Sequence, residues 1–433
     1  RKTTRAVVAV TGTLEFLGAG LLARFERDPS CTTVLALDAP AGSETSPKVR
    51  AFGIDLARPG SDVQIAEVLR EGGAGALVHA AFFPAPTHQV ETMHELESIG
   101  TLNVLSAGER TVERFVLWSQ TFLYGARPDN PALLPESWPL RASPESSFLR
   151  DKLAAERQVA DFAARFPDVR VAVLRTAPVV GPRAVGIVPA LVRRRFVPVA
   201  AGFDPLLQVL HVYDAHDAFK LAVDSDAAGV FNVVAEGVLP VTTALLVAGR
   251  VPIPVPPGVL RRLLTVLWTL RAAETSGPFV DYLLFPCVAD GRKAVRELGF
   301  RPTYSTHEAL GGYAATAITA LTAQSTRGVF GVVPVDPHFI AKQMEVVLAD
   351  IGADCVKTGM LHSAEVIEAV VRTLERHARG VPVIVDPVMV ATSEACLLKP
   401  FAIRTLKRRW LPLASLVTPN LPEAEVLIGA EIK

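Results

Sequence analysis

Five short runs in the first half of the chain are almost continuously apolar: 5–10 (RAVVAV), 33–38 (TVLALD), 76–81 (ALVHAA), 114–119 (RFVLWS) and 170–175 (RVAVLR). Runs of five or six residues without polar alternation are what strands buried on both faces require. Between them lie amphipathic segments such as FLGAGLLARFERD (16–28) and SDVQIAEVLREG (61–72), with helical spacing of apolar positions. Strand alternating with helix predicts an α/β fold with a Rossmann-like, doubly wound parallel sheet, whose ligands bind beyond the carboxyl ends of the strands. Further along, 306–329 (THEALGGYAATAITALTAQSTRGV) reads as the end of an amphipathic helix, a Gly-Gly break and a strand leading into a loop.

The chain has 433 residues, more than one ordinary core accommodates, so more than one domain is expected. Lys+Arg and Asp+Glu balance at 44 each without a long run of one sign, which argues against nucleic acid as a partner. Four cysteines, Cys31, Cys287, Cys355 and Cys396, are scattered with no CxxC pair and no apolar leader precedes them, so a reducing cytoplasm is expected. The most apolar region, 251–274, is broken by prolines and by Arg261, Arg262 and Arg271, so no membrane span is expected; a helix packed on its own domain is favoured over one lying on a membrane. Small-molecule ligands are the expected partners, with a homodimer left open.

After the first run comes TGTLEFLG, with Gly12, Glu15 and Gly18, and Asp38 ends the second run twenty residues beyond Gly18. A glycine-bounded turn at a helix N-terminus offers backbone N–H groups to a pyrophosphate, and an acid at the later position accepts ribose hydroxyls, so the spacing points to NAD rather than NADP. Residues 5–305 resemble the extended short-chain dehydrogenase/reductases, the NAD-dependent epimerase/dehydratase family. The resemblance rests on VTGTLEFLG, FGIDLARP, VHAA, GTLNVL, FVLWSQTFLYG, VLRTAPVVGP and LHVYDAHDA in the family's order. It implies NAD as cofactor, Gly12 and Gly18 lining the pyrophosphate, Asp38 on the ribose, Asp55 near the adenine, and a smaller substrate part built mainly from 181–305.

Three departures bear on activity. Glu15 stands where the family has glycine; a carboxylate about 4 Å from a phosphate charge costs roughly 4 kcal/mol at an effective dielectric near 20. Weakened NAD binding is therefore expected, unless Glu15 turns outward to solvent or pairs with an arginine. In FLRDKLAAE (148–156) Phe148 replaces the tyrosine of the family's Tyr-x-x-x-Lys, leaving Lys152 as a ribose ligand with no phenol to donate a proton. The family's catalytic serine or threonine falls on Gln120, with Ser119 and Thr121 beside it and Thr121 the candidate substitute. The expected module is a reductase fold with little family-type catalysis: either a binding or regulatory unit, or an oxidoreductase acting on a nucleotide sugar or ketone with Tyr124 or Tyr213 as its acid. His211, Asp214, His216 and Asp217 have metal-like spacing but no partner cluster, which favours structural use.

Residues 306–430 resemble an internal part of hydroxymethylpyrimidine/phosphomethylpyrimidine kinase, a ribokinase-like enzyme of thiamine biosynthesis. The matching stretches are HEALGGYAATAITALTAQSTRGV, DIGADCVKTGML, VPVIVDPVMVA and LVTPNLPEAEVLIG. The resemblance implies Gln324 and Met360 at a pyrimidine, Asn420 and Glu423 around Mg²⁺ and the ATP phosphates, with Glu423 its metal ligand, and Asp386 close by. Thr392 and Glu394 depart from the family, whose opening Gly-rich loop and closing GTGC-type loop are not seen in 306–433. The expected organisation is a reductase-like domain over 1–305 and a partial kinase domain over 306–433. Both catalytic sets are expected to be incomplete, and the kinase segment to expose sheet edges and apolar surface.

Overall fold

The computed structural model describes residues 7–43, 46–109, 111–273, 275, 277–311, 317–325, 328–350, 353, 355–389 and 400–430. They form two compact units, 1–313 and 314–433. The first unit carries a seven-stranded parallel sheet. Its strands are β1 (Val7–Thr11), β2 (Thr33–Ala36), β3 (Val49–Ala51), β4 (Ala76–His79), β5 (Arg114–Gln120), β6 (Arg170–Thr176) and an edge strand, Gly229–Val233. From that edge inward the order is β6, β5, β4, β1, β2, β3, so the chain reverses direction across the sheet between β1 and β4. All five apolar runs are strands, and they are buried because helices cover both faces. Helices α1 (Phe16–Glu26) and α2 (Ser61–Gly72) coincide with the two amphipathic segments.

Two strands are less evident from the sequence. Val49–Ala51 is only three residues long, and Gly229–Val233 begins with two exposed or half-exposed residues before its buried Phe231–Val233. Outside that sheet, residues 181–305 form two-stranded pairs and helices, including Pro257–Thr269. That helix buries Leu260 but exposes Val259, Leu263 and Val266, so it packs on its own unit by a narrow face only.

The first unit runs past the expected seam at 305. Ser305 and Glu308 form a capping box at the start of helix Thr306–Leu310, the Thr306 hydroxyl donates to the Gly237 carbonyl at 2.8 Å, and Leu310 joins a cluster with Val188, Val209 and Ala244.

The second unit contains a hairpin, Ala320–Ser325 with Gly328–Pro334, and a three-stranded parallel sheet of Val356–Thr358, Val383–Val385 and Leu416–Val417. Helix Ala364–His377 supplies Val366, Ile367, Val370, Val371 and Leu374 to a core of its own, closed by Trp410. Around that small core Leu321, Val333, Phe339, Leu416 and Ile428 remain exposed. No helix among the described residues is long and apolar enough to cross a membrane.

Candidate active site of the reductase-like unit

Gly12 has φ +76°, and a Cβ there would lie 2.2 Å from the Ala80 carbonyl oxygen; a Cβ on Gly18 would lie 2.0 Å from the Gly12 oxygen. Both glycines are therefore required by the close passage of the β1 turn over the end of β4 and under α1. Asp38, at the end of β2, holds this turn: it accepts from the Gly12 N–H at 2.6 Å, the Thr13 N–H at 3.0 Å and the Thr13 hydroxyl at 2.5 Å. Thr13 carries no signal in the glycine pattern and was not singled out. An ionised carboxylate has about four acceptor positions, so Asp38 keeps limited capacity for a further hydroxyl. Asp55 is exposed and accepts from the Ala57 N–H at 3.1 Å, steadying the loop that leads to α2.

Glu15 precedes α1 without capping it and is half-buried. Burial and the nearby Asp38 carboxylate raise its pKa above the usual carboxylate value, and Lys152 offsets part of this. Among the described residues it forms no ion pair with an arginine.

Lys152 lies on the helix Ser147–Arg165 and is 3 % exposed, the opposite of a solvated surface lysine. Its ammonium donates to Glu97 Oε1 at 2.7 Å and sits over the rings of Phe148 (4.4 Å) and Phe82 (5.0 Å). Glu97 comes from a π-helical stretch, Glu95–Gly100, whose wider turn carries its side chain inward; it also accepts from the Phe83 N–H at 2.8 Å. Burial pushes the Glu97 carboxyl up to about 7, with Lys152 pulling it back, while burial lowers the Lys152 ammonium. Glu97 lies in no motif, so sequence reasoning passed it over.

Phe148 is 1 % exposed and packs with Met93, Leu123, Leu149, Ile187 and Phe279. This cluster joins its helix to the turn Thr121–Tyr124 after β5, so Thr121, itself buried, lies on the same assembly. Ser119 is used elsewhere: its hydroxyl donates to Glu156, which holds Arg175 in a bidentate pair at 2.7 and 3.0 Å. Arg175 also donates to the Tyr124 hydroxyl at 2.9 Å, and that hydroxyl donates to Asn232 Oδ1 at 2.8 Å. Tyr124 is fully buried with its hydroxyl engaged by Arg175 and Asn232, and burial raises its pKa. Tyr213 is 44 % exposed and stands edge-on to His211 at 4.9 Å. Gln120, Trp118, Phe16, Thr176 and Pro178 line a cleft of about 300 Å³ beyond the ends of β5 and β6.

The four residues with metal-like spacing all serve structure. His211 accepts from the Tyr213 N–H at the start of its helix, Asp214 accepts from the Thr303 and Tyr304 N–H groups, Asp217 pairs with Arg24 at 2.7 Å, and His216 packs on Gly20. Among the described residues no group of three or more His, Cys, Asp or Glu could hold a metal ion.

In the second unit Asn420 and Glu423 make a reciprocal capping box, and Glu423, 3 % exposed, also accepts from the Met389 N–H at 3.0 Å. Their Asn-x-x-Glu spacing is thus accounted for by helix capping, with both Glu423 oxygens engaged by backbone N–H groups. Asp386 faces Lys357 at 3.7 Å, and the Met360 carbonyl accepts from Thr319 at 2.8 Å. Gln324 pairs with Val329 in the hairpin at a register shift. Thr392 and Glu394 lie outside the described residues.

The family model for phosphomethylpyrimidine kinase matches residues 304–433. Hydroxymethylpyrimidine/phosphomethylpyrimidine kinase of Escherichia coli is 45 % identical over 132 residues, 30 % of this chain and 49 % of that protein, so the chain spans about half the length of this kinase relative. Solved structures similar to the chain include UDP-glucose 4-epimerase of Thermus thermophilus in complex with NAD (TM-score 0.54, 23 % identity, 70 % of this chain and 96 % of that one). Another is dTDP-glucose 4,6-dehydratase of Bacillus anthracis in complex with NAD (TM-score 0.55, 15 % identity, 70 % and 94 %). The Uncharacterized protein Rv0501 of Mycobacterium tuberculosis is 32 % identical over 315 residues, covering 71 % of this chain and 83 % of that protein. The chain therefore belongs to the family of this mycobacterial protein, with the fold of NAD-dependent epimerases and dehydratases in its N-terminal part and a kinase-like segment over residues 304–433.

Proposed function

We propose that the reductase-like domain, residues 1–305, is a dinucleotide-binding unit that prefers NAD and has lost family-type hydride-transfer catalysis. The partial kinase domain, 306–433, is proposed to bind without transferring phosphate. The observation that carries the reading is Phe148, a ring without a proton to give, sealed in an apolar cluster beside Lys152. Proton transfer by a positioned side chain typically contributes about a hundred- to ten-thousandfold in rate.

In this reading Gly12 and Gly18 present the turn to the pyrophosphate, Asp38 gives its remaining acceptor capacity to the ribose, and Asp55 borders the adenine. Lys152 would hold the nicotinamide ribose only by sharing its ammonium with Glu97. In the kinase-like segment Gln324 and Met360 border the pyrimidine, while Asp386, Asn420 and Glu423 remain from the Mg-ATP side. The support for weakened NAD affinity is the position of Glu15 directly before α1, in the turn that Gly12 and Gly18 bound.

Calorimetry with NAD and NADP, together with turnover of UDP-glucose, tests the reading. The expected result is weak binding of NAD, weaker binding of NADP because Asp38 repels a 2′-phosphate, turnover near background, and a rise in turnover on Phe148→Tyr. Tighter NADP binding would overturn the role of Asp38, and full turnover by the unaltered chain would overturn the loss of catalysis.

A further inference from the structure

A second, larger cleft lies in the substrate part of the first unit. It is open to solvent and lined almost wholly by apolar side chains. Its walls come from the helix after Gly186 (Ile187, Leu191), the strand Phe196–Ala200 (Val197), the helix Val241–Val247 (Ala244, Leu245) and the 3₁₀ turn carrying Phe279. Phe122 and Ile187 also line the smaller cleft beside Gln120, so the two spaces adjoin.

The chemistry of the lining is one-sided. Among the described residues Arg194 is its one charged side chain, and Thr275 and Tyr282 its two hydroxyls. The Tyr282 hydroxyl is already committed, donating to the Phe122 carbonyl at 2.6 Å. A nucleotide sugar brings a ring of hydroxyls and a diphosphate, each needing a partner when taken out of water, and this wall has almost none to offer. An unbranched or fused hydrocarbon body needs none and gains from leaving water. Arg194 is exposed, forms no ion pair among the described residues, and lines the cleft with no acidic residue beside it. An exposed guanidinium at the edge of an apolar space fits an anionic head group, which it can hold with paired N–H donors while the body enters the wall of Val, Leu and Phe.

We propose that this cleft binds an amphiphile with a single apolar body and a carboxylate or phosphate head, the body among Leu191, Val197, Ala244, Leu245 and Phe279 and the head on Arg194. The proposal does not depend on NAD binding or on the loss of catalysis, and it is tested in the absence of nucleotide.

The test is calorimetry of the full chain with decanoate, decyl phosphate, decan-1-ol and UDP-glucose. Decanoate and decyl phosphate are expected to bind, decan-1-ol about tenfold more weakly for want of the charged contact, and UDP-glucose not to displace them. Arg194→Gln should remove the advantage of the two anions and leave decan-1-ol unchanged, whereas Ala244→Phe, which fills the cleft, should weaken all three. Should Ala244→Phe fail to fold, a diazirine-bearing decanoate crosslinked to the unaltered chain and mapped by mass spectrometry should label 187–198 and 241–245. Equal affinity for decan-1-ol and decanoate, labelling outside those segments, or displacement by UDP-glucose would overturn the proposal.

Discussion

Glu15 stands at the entry to α1, beside the turn that Gly12 and Gly18 shape. The turn around it is otherwise built for an anion, with glycines where the backbone must pass closely and a helix beginning at Phe16. Glu15 is a half-buried carboxylic acid at that point, and burial first, then the charge of Asp38, raise its pKa. Glu15→Gly is expected to tighten NAD binding by at least tenfold, read by calorimetry; unchanged affinity would show that the carboxylate swings clear of the phosphates. His79 makes a second prediction at this scale. It is fully buried between Thr11 (2.7 Å) and Thr101 (2.9 Å), and burial lowers its pKa to about 3. Because the folded value lies below the unfolded one, the contribution of neutral His79 is fully present above about pH 6.5 and is lost as pH falls toward 3. His211 and His216, both lowered to about 4, act in the same direction. Urea midpoints for the first unit should therefore fall as pH drops from 6.5 to 5, and His79→Gln should flatten that slope.

Among elements, the contact of α1 with the helix Val212–Asp224 sets how the turn is presented. Gly20 has ordinary helical geometry, yet a Cβ there would lie 2.1 Å from the His216 ring. Gly20 is therefore a packing glycine, required by the neighbouring helix rather than by its own backbone. Gly20→Ala is expected to destabilise the first unit by about 1–3 kcal/mol despite the better helix propensity of alanine, measured as a lower urea midpoint. A stabilised variant would show that His216 rotates away at little cost. The pairing of Glu97 with Lys152 is likewise decided between elements, because one comes from a widened π-helical turn and the other from a helix about fifty residues later in the chain. Removing one partner of such a buried pair leaves an uncompensated charge, so Lys152 and Glu97 stay buried together.

For the molecule as a whole, the two units have separate cores, one spanning β1–β6 and one built around the helix Ala364–His377 and Trp410. In the second unit both Glu423 oxygens are taken by backbone N–H groups, and phosphoryl transfer depends almost wholly on groups placed around the phosphates. The full chain is therefore expected to form no phosphorylated hydroxymethylpyrimidine from Mg-ATP above a no-enzyme control. Activity after grafting the remaining N- and C-terminal segments of a complete kinase would support the reading, and clear turnover by the ungrafted chain would overturn it.

Periodicity alone determined the α/β class, the five buried strands and the helices α1 and α2, because burial on two faces removes polar residues from a strand and amphipathic spacing marks a helix. Local motifs likewise placed Gly12 and Gly18 about the turn between β1 and α1, since strand, turn and helix are contiguous in the chain, and Asp38 at the end of the next strand. The edge strand Gly229–Val233 was harder to read because its pairing partner, β6, lies far away in sequence and its first two residues are exposed or half-exposed. Tertiary structure alone decided the partners of polar groups: Asp38 with Thr13, Lys152 with Glu97, Tyr124 with Arg175 and Asn232, Glu423 with Met389. Each joins segments distant in the chain, and a hydrogen bond at 2.7–3.0 Å leaves no periodic trace. The apolar cleft beside Arg194 belongs to the same class, since a space between elements has no residues of its own until the elements have packed.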